Sequence, residues 1–191
     1  MQDKEGQNAA AKCWAVRLLN GQQRTMLWAL LTVRRITRQA FRSRVKPDFA
    51  CLKKLTTYLD RYAENIHQPN EEHTLFSVVA SRGPAADRLI ARLRRDHSAM
   101  KGYGIRLRTA LAHWEQGDPS AGPLTAAVAN DYAYFCLRHG RVERHELLPV
   151  AQRVLTNSEW LSAGTAFEAS ADPLAASRND RDRTNALQRM K

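Results

Sequence analysis

The chain has only three cysteines among its 191 residues, Cys13, Cys51 and Cys136. Their odd number and wide spacing fit neither a zinc site nor a redox pair. They read instead as buried thiols in a reducing compartment. No apolar run approaches the ~20 residues that a membrane span requires. The opening stretch Met1-Gln2-Asp3-Lys4-Glu5 lacks the apolar core of a secretory signal. A cytoplasmic protein with no membrane partner is therefore expected. Acidic residues are also in short supply, 19 Asp and Glu against 30 Lys and Arg, for a formal charge of +11. Such a charge invites a nucleic-acid reading. The cations, however, are scattered as Arg34-Arg35, Lys53-Lys54, Arg94-Arg95 and similar short groups beside apolar helix-face residues. That is the pattern of solvated helix faces, and it disfavours specific nucleic-acid binding.

What the chain does have is helical periodicity, and enough length for one domain with a substantial core. A first helix is expected over about 11–42, with Trp14, Leu18, Leu19, Leu27, Leu30 and Leu31 near one stripe. Pro47 interrupts, and Asp48 is a suitable N-cap for a second helix carrying Phe49, Leu52, Leu55, Leu59 and Tyr62. Pro69 should kink or restart that helix before it continues through Val79, because proline lacks an N–H and crowds the preceding turn. Gly83-Pro84 opens a third helix running to about Glu115, in which Gly102 and Gly104 suggest close packing. A Gly/Pro/Ser loop over 116–122 leads to a fourth helix, from Pro123 to about Leu155. A short fifth, about 157–169, should dock through Trp160, Leu161 and Phe167. The fold class that follows is all-α, an up-down-up-down four-helix bundle with a short extra C-terminal helix. Residues 1–10 are expected to be a flexible N-terminus, 11–170 the bundle, and 171–191 a charged, disordered tail.

One internal echo carries chemistry. Residues 67–75 and 139–147 both fit His-x-x-x-Glu-x-His-x-Leu, and they fall on the second and fourth helices, which run the same way in such a bundle. Residues four apart project to one side of a helix, one turn on. His67 with Glu71, and His139 with Glu143, thus pair an imidazole with a carboxylate able to bridge two metals. Such a set favours first-row metals, iron or manganese above all, over the closed tetrahedral set typical of zinc. His97, between Leu93 and Met100, offers further nitrogen. His73 and His145 point about 200° away from the metal-facing side, and His113 lies near a helix end, so all three read as peripheral. Taken singly, a His on an apolar face is more often a hydrogen-bonded core residue, and a lone His-x-x-x-Glu pair is often a surface pair.

These residues resemble the hemerythrin-like domain family, which includes bacterial di-iron proteins linked to iron–sulfur cluster repair. The resemblance covers about residues 13–170. It rests on His67-Gln68-Pro69-Asn70-Glu71-Glu72 with Leu75-Phe76, on Asp96-His97, and on His139-Gly140-Arg141-Val142-Glu143 with Leu147-Leu148-Pro149. Pro47-Asp48-Phe49, Arg153-Val154-Leu155 and Asp172-Pro173-Leu174 look like one bacterial branch of it. The resemblance implies that His67, His97 and His139 are terminal iron ligands and that Glu71 and Glu143 bridge. The chain departs from the pattern in its first helix, where Gln23 stands at the family's histidine position. A second third-helix histidine of the oxygen carriers falls on Lys101, which argues against reversible oxygen carriage. An amide oxygen is a weaker donor than imidazole, so the expected cofactor is iron, two ions or one, with manganese as an alternative. The implied function is sensing of, or reaction with, a small ligand such as oxygen, nitric oxide or peroxide. The alternative is a metal-free helical bundle acting as an interaction module.

Overall fold

The computed structural model describes residues 2–174 and 180–189. Helix α1 is Gln2–Ser43. Helix α2 spans 49–80 as α-helical pieces Phe49–Tyr58, Gln68–Glu71 and Ser77–Ala80, joined by wider π-helical turns at Leu59–His67 and Glu72–Phe76. Helix α3 is Pro84–Glu115. Helix α4 spans 121–154, with a π-helical turn at Glu143–Leu147 between Ala121–Val142 and Leu148–Val154. Helices α5, Asn157–Ala169, and α6, Asp180–Arg189, follow. Among the described residues there is no strand, and no helix is long and apolar enough to cross a membrane.

The local chemistry explains the boundaries. Asp48 caps α2 by accepting from the Cys51 N–H at 2.9 Å. Thr156 and Glu159 form a capping box at the start of α5. Pro69 and Pro149 each stand just beyond a π-helical turn. There the backbone accommodates a residue that has no N–H and whose ring collides with the carbonyl of the preceding turn. Pro69 therefore does not break α2; the helix widens ahead of it and runs on.

Along each of the four long helices the core is divided in the same way. Leu19, Phe76, Leu93 and Leu148 belong to one apolar cluster, and Leu30, Leu55, Leu107 and Val128 to a second. Between the two lies a polar layer of Gln22, His67, Glu71, His97, His139 and Glu143, all buried. The clusters appear in opposite order on successive helices, which makes the bundle up-down-up-down. Helix α5 lies against α1 and α2, with Trp160 and Phe167 each only 1% exposed. A Cβ at Gly164 would collide with the Trp14 ring, so glycine there permits the close approach of α5 to α1.

Several expectations are corrected. Helix α1 begins at Gln2 rather than near Ala11. The chain beyond 170 is not a structureless tail in its described part. Leu174 is fully buried, and Asp172 accepts a hydrogen bond from Tyr58 Oη at 2.9 Å. Tyr62 Oη likewise donates to the Ser170 carbonyl, and Lys54 Nζ donates to the Gln188 carbonyl of α6 at 2.6 Å. Residues 175–179, 190 and 191 lie outside the described residues. Leu161 faces outward, at 46% exposure, and does not help dock α5. Cys51 and Cys136 are half-buried, while Cys13 is exposed and not the buried thiol expected. Close packing explains Gly104, where a Cβ would strike Glu64, but not Gly102, which has open space beside it.

Candidate metal centre

Helices α2, α3 and α4 bring four buried ligand groups together. Single ligand atoms of Glu71, His97, His139 and Glu143 all lie within 4.8 Å of one another. His139 Nε2 is 3.0 Å from Glu143 Oε1, and His97 Nε2 is 3.6 Å from Glu71 Oε2. His67 stands at the edge of this group, with Nε2 3.5 Å from Glu71 Oε2. The two His-x-x-x-Glu pairs face each other as their helical spacing requires. His73, His113 and His145 are exposed.

The three imidazoles are held alike. His67 Nδ1 lies 2.9 Å from Gln22 Oε1, and the Gln22 amide nitrogen donates to the Phe167 carbonyl at 2.8 Å. That second bond leaves the Gln22 oxygen as acceptor, so the proton of His67 sits on Nδ1. His97 Nδ1 donates to Glu72 Oε1 at 2.7 Å, and His139 Nδ1 to Asp96 Oδ2 at 3.4 Å. In each case Nε2 is turned toward the carboxylates. A partner on α1 orients the histidine of α2, one on α2 that of α3, and one on α3 that of α4. Gln22, Glu72 and Asp96 are each the sequence neighbour of Gln23, Glu71 or His97. Such outer partners fix tautomer and ring orientation in metal sites. The sequence showed Glu72 and Asp96 only as parts of motifs, and nothing marked Gln22; adjacency to a ligand is the signal that could have found them.

Gln23 enters the same layer. Its amide nitrogen donates to Glu143 Oε2 at 2.8 Å and to Glu71 Oε1 at 3.2 Å. The position expected to hold a ligand therefore presents hydrogen-bond donors to the two carboxylates, not the amide oxygen.

The electrostatics follow from burial. Loss of solvation holds the His67 imidazole down to about 3, hence neutral. Burial, with the nearby His139, lowers His97 as well. Burial alone would also lower His139, but Glu143, Asp96 and Glu71 outweigh it and push His139 up to about 10. Burial and the neighbouring Glu143 charge raise Glu71 well above the carboxylate range. Burial works against Glu143 too, yet the His139 charge and hydrogen bond bring it below its ordinary value. The layer without metal thus holds a neutral Glu71 and a His139–Glu143 ion pair.

Do these groups fit a metal ion? His97 Nε2 is buried and makes no hydrogen bond. An imidazole nitrogen pointed at two carboxylates and left without a proton partner is the donor set of a first-row metal. The residues fit. A cavity of about 180 Å³ adjoins them, lined by Leu59, Met100, Tyr132 and Cys136 inside and by exposed Arg24, Arg141 and Arg144 outside.

No curated protein and no solved structure gives a match to this chain. The family model of the hemerythrin HHE cation binding domain does match, over residues 15–151, a span that contains every ligand position described above. The chain belongs to that family of cation-binding helical bundles.

Proposed function

We propose that this protein is a non-haem iron protein that senses or reacts with a small ligand such as oxygen, nitric oxide or peroxide. One observation carries the reading. Three imidazoles, each anchored through Nδ1, turn Nε2 toward two buried carboxylates beside a small cavity. His67, His97 and His139 would supply nitrogen, and Glu71 and Glu143 would bridge or terminate. When bound, iron supplies redox electrons and an open coordination position for the small ligand. The chain's own residues orient the imidazoles, bury the ligand groups, and leave a cavity suited to a molecule of a few heavy atoms. Gln23 is the weak member, since an amide oxygen holds iron less firmly than imidazole. One ion is therefore held more firmly than a second, and manganese is the alternative metal.

The second reading is a metal-free interaction module. The Gln23 amide favours it, because its hydrogen bonds to Glu71 and Glu143 satisfy the carboxylates with no ion present. Metal analysis and an optical spectrum of protein prepared with iron decide between the two. The iron reading requires bound iron that is lost in Glu71→Ala and Glu143→Ala; iron-free protein with unchanged thermal stability supports the module.

A further inference from the structure

Among the described residues, the ligand set leaves the buried acid Glu64 without a role. Glu64 lies in the first π-helical turn of α2, and its side chain is wholly buried. Its Oε2 has no hydrogen-bond partner. Its Oε1 accepts from Tyr132 Oη at 3.3 Å and lies 3.7 Å from Arg108 Nη1. Glycine at 104 makes room for this carboxyl, since a Cβ there would collide with Oε1. A buried carboxyl oxygen with no partner is costly, and a fold that retains one needs a reason.

Position supplies the reason. Tyr132 is buried, lines the same cavity as His139 and Glu143 and hydrogen-bonds Glu64, so it links Glu64 to the space beside the metal centre. On the other side, Arg108 Nη2 holds Asp60 Oδ1 at 3.1 Å, and both side chains are about one-third exposed. Solvent thus reaches the Asp60–Arg108 pair on one side of Glu64, while the cavity lies on the other.

We propose that Glu64 and Tyr132 form a proton-delivery pair for a small ligand held in the cavity. Tyr132 gives its hydroxyl proton to the ligand and takes the Glu64 proton in its place. Glu64, then ionised, accepts the hydrogen bond from Tyr132 and recovers a proton from water on the Asp60 and Arg108 side. The charged and titrating groups around Glu64 are Asp60 on its own helix, Arg108 and Lys101 on α3, and Tyr132 and Cys136 on α4. Burial, opposed chiefly by Arg108, pushes Glu64 up to about 7, where a group both gives and regains protons at neutral pH. The role in a reaction rests on the iron reading above; the titration of Glu64 does not.

The test has two arms. In metal-free protein, infrared difference spectra across pH 6–8 follow the protonated-carboxyl band, with Glu64→Gln to assign it and Tyr132→Phe to perturb it. In iron-loaded protein, hydrogen peroxide is the probe. Its conversion to two waters takes two electrons, one from the ferrous ion as it becomes ferric and one from ascorbate added as reductant, and two protons, one through Tyr132 and one from solvent at the cavity mouth. The proposal predicts a Glu64 band that titrates near neutrality and shifts in Tyr132→Phe. It also predicts a peroxide rate that falls as pH rises through about 7. With iron content unchanged, Glu64→Gln should lose that pH step and on the order of a hundredfold in rate. A Glu64 band that does not titrate overturns the pair. So does a pH profile unchanged in both variants, and in that case the iron reading stands alone. A titrating Glu64 in a chain that takes up no iron overturns the function proposed above and the delivery role with it.

Discussion

The amide nitrogen of Gln23 donates to Glu143 Oε2 across 2.8 Å, and the same nitrogen reaches Glu71 Oε1 at 3.2 Å. A single neutral side chain from α1 thereby ties the acids of α2 and α4 together at the point where a metal would sit between them. For Gln23 to serve as a ligand its amide must turn over and give up both bonds. The cost of that turn falls on both carboxylates, since Glu143 and Glu71 each lose a donor.

Gln23→His should therefore raise iron content from about one to about two ions per chain. Elemental analysis against protein concentration measures it. Equal iron in the two proteins would show that Gln23 does not limit loading.

Metal uptake should release protons. Glu71 is raised by burial and by Glu143, and His139 is pushed up to about 10, so at neutral pH both carry a proton that a cation must displace. The expected outcome is up to about two protons released per chain on loading, with apparent affinity rising as pH rises. A pH-indicator titration in weak buffer reads this directly; uptake without proton release would contradict the ionisation state described here.

Asp96→Asn removes the carboxylate that anchors His139 Nδ1 at 3.4 Å. Outer partners of this kind contribute about 10–100-fold to metal affinity. A loss of that size by competition with a chelator, with the fold retained by circular dichroism, is expected.

Asp172 tests whether the segment after α5 belongs to the fold. Burial, against hydrogen bonds from the Leu174 N–H, Tyr58 and Thr25, pushes it up to about 6. A carboxyl raised in the folded state binds its proton more tightly there than in the unfolded chain. Its contribution is present below its ordinary value and is lost as pH rises through about 6. Asp172→Asn should flatten that part of the stability profile. Urea unfolding of both proteins at pH 4.5 and 7.5 measures the difference.

The bundle and the two His-x-x-x-Glu pairs were legible because both rest on helical periodicity, which a sequence displays openly. His67, Glu71, His97, His139 and Glu143 fall in one layer because each lies between apolar runs of the same two clusters. The outer partners were harder to see. Gln22 matters only because α5 places the Phe167 carbonyl beside it, a contact between residues far apart in the chain. Asp172 and Leu174 sit in a polar-looking stretch, and only tertiary packing shows that they are buried. Glu64 reads as one more charge on α2 until the π-helical turn and Gly104 put it inside.

The most direct measurement of the central claim is iron bound per chain in the natural protein, set beside Glu71→Ala and Glu143→Ala and paired with thermal unfolding. An ion held by the native layer must stabilise it, because the unfolded chain cannot assemble those ligands. About one iron per chain, a raised melting temperature, and loss of both in each variant are predicted. Iron-free natural protein, or iron that persists without Glu71 and Glu143, would contradict the account.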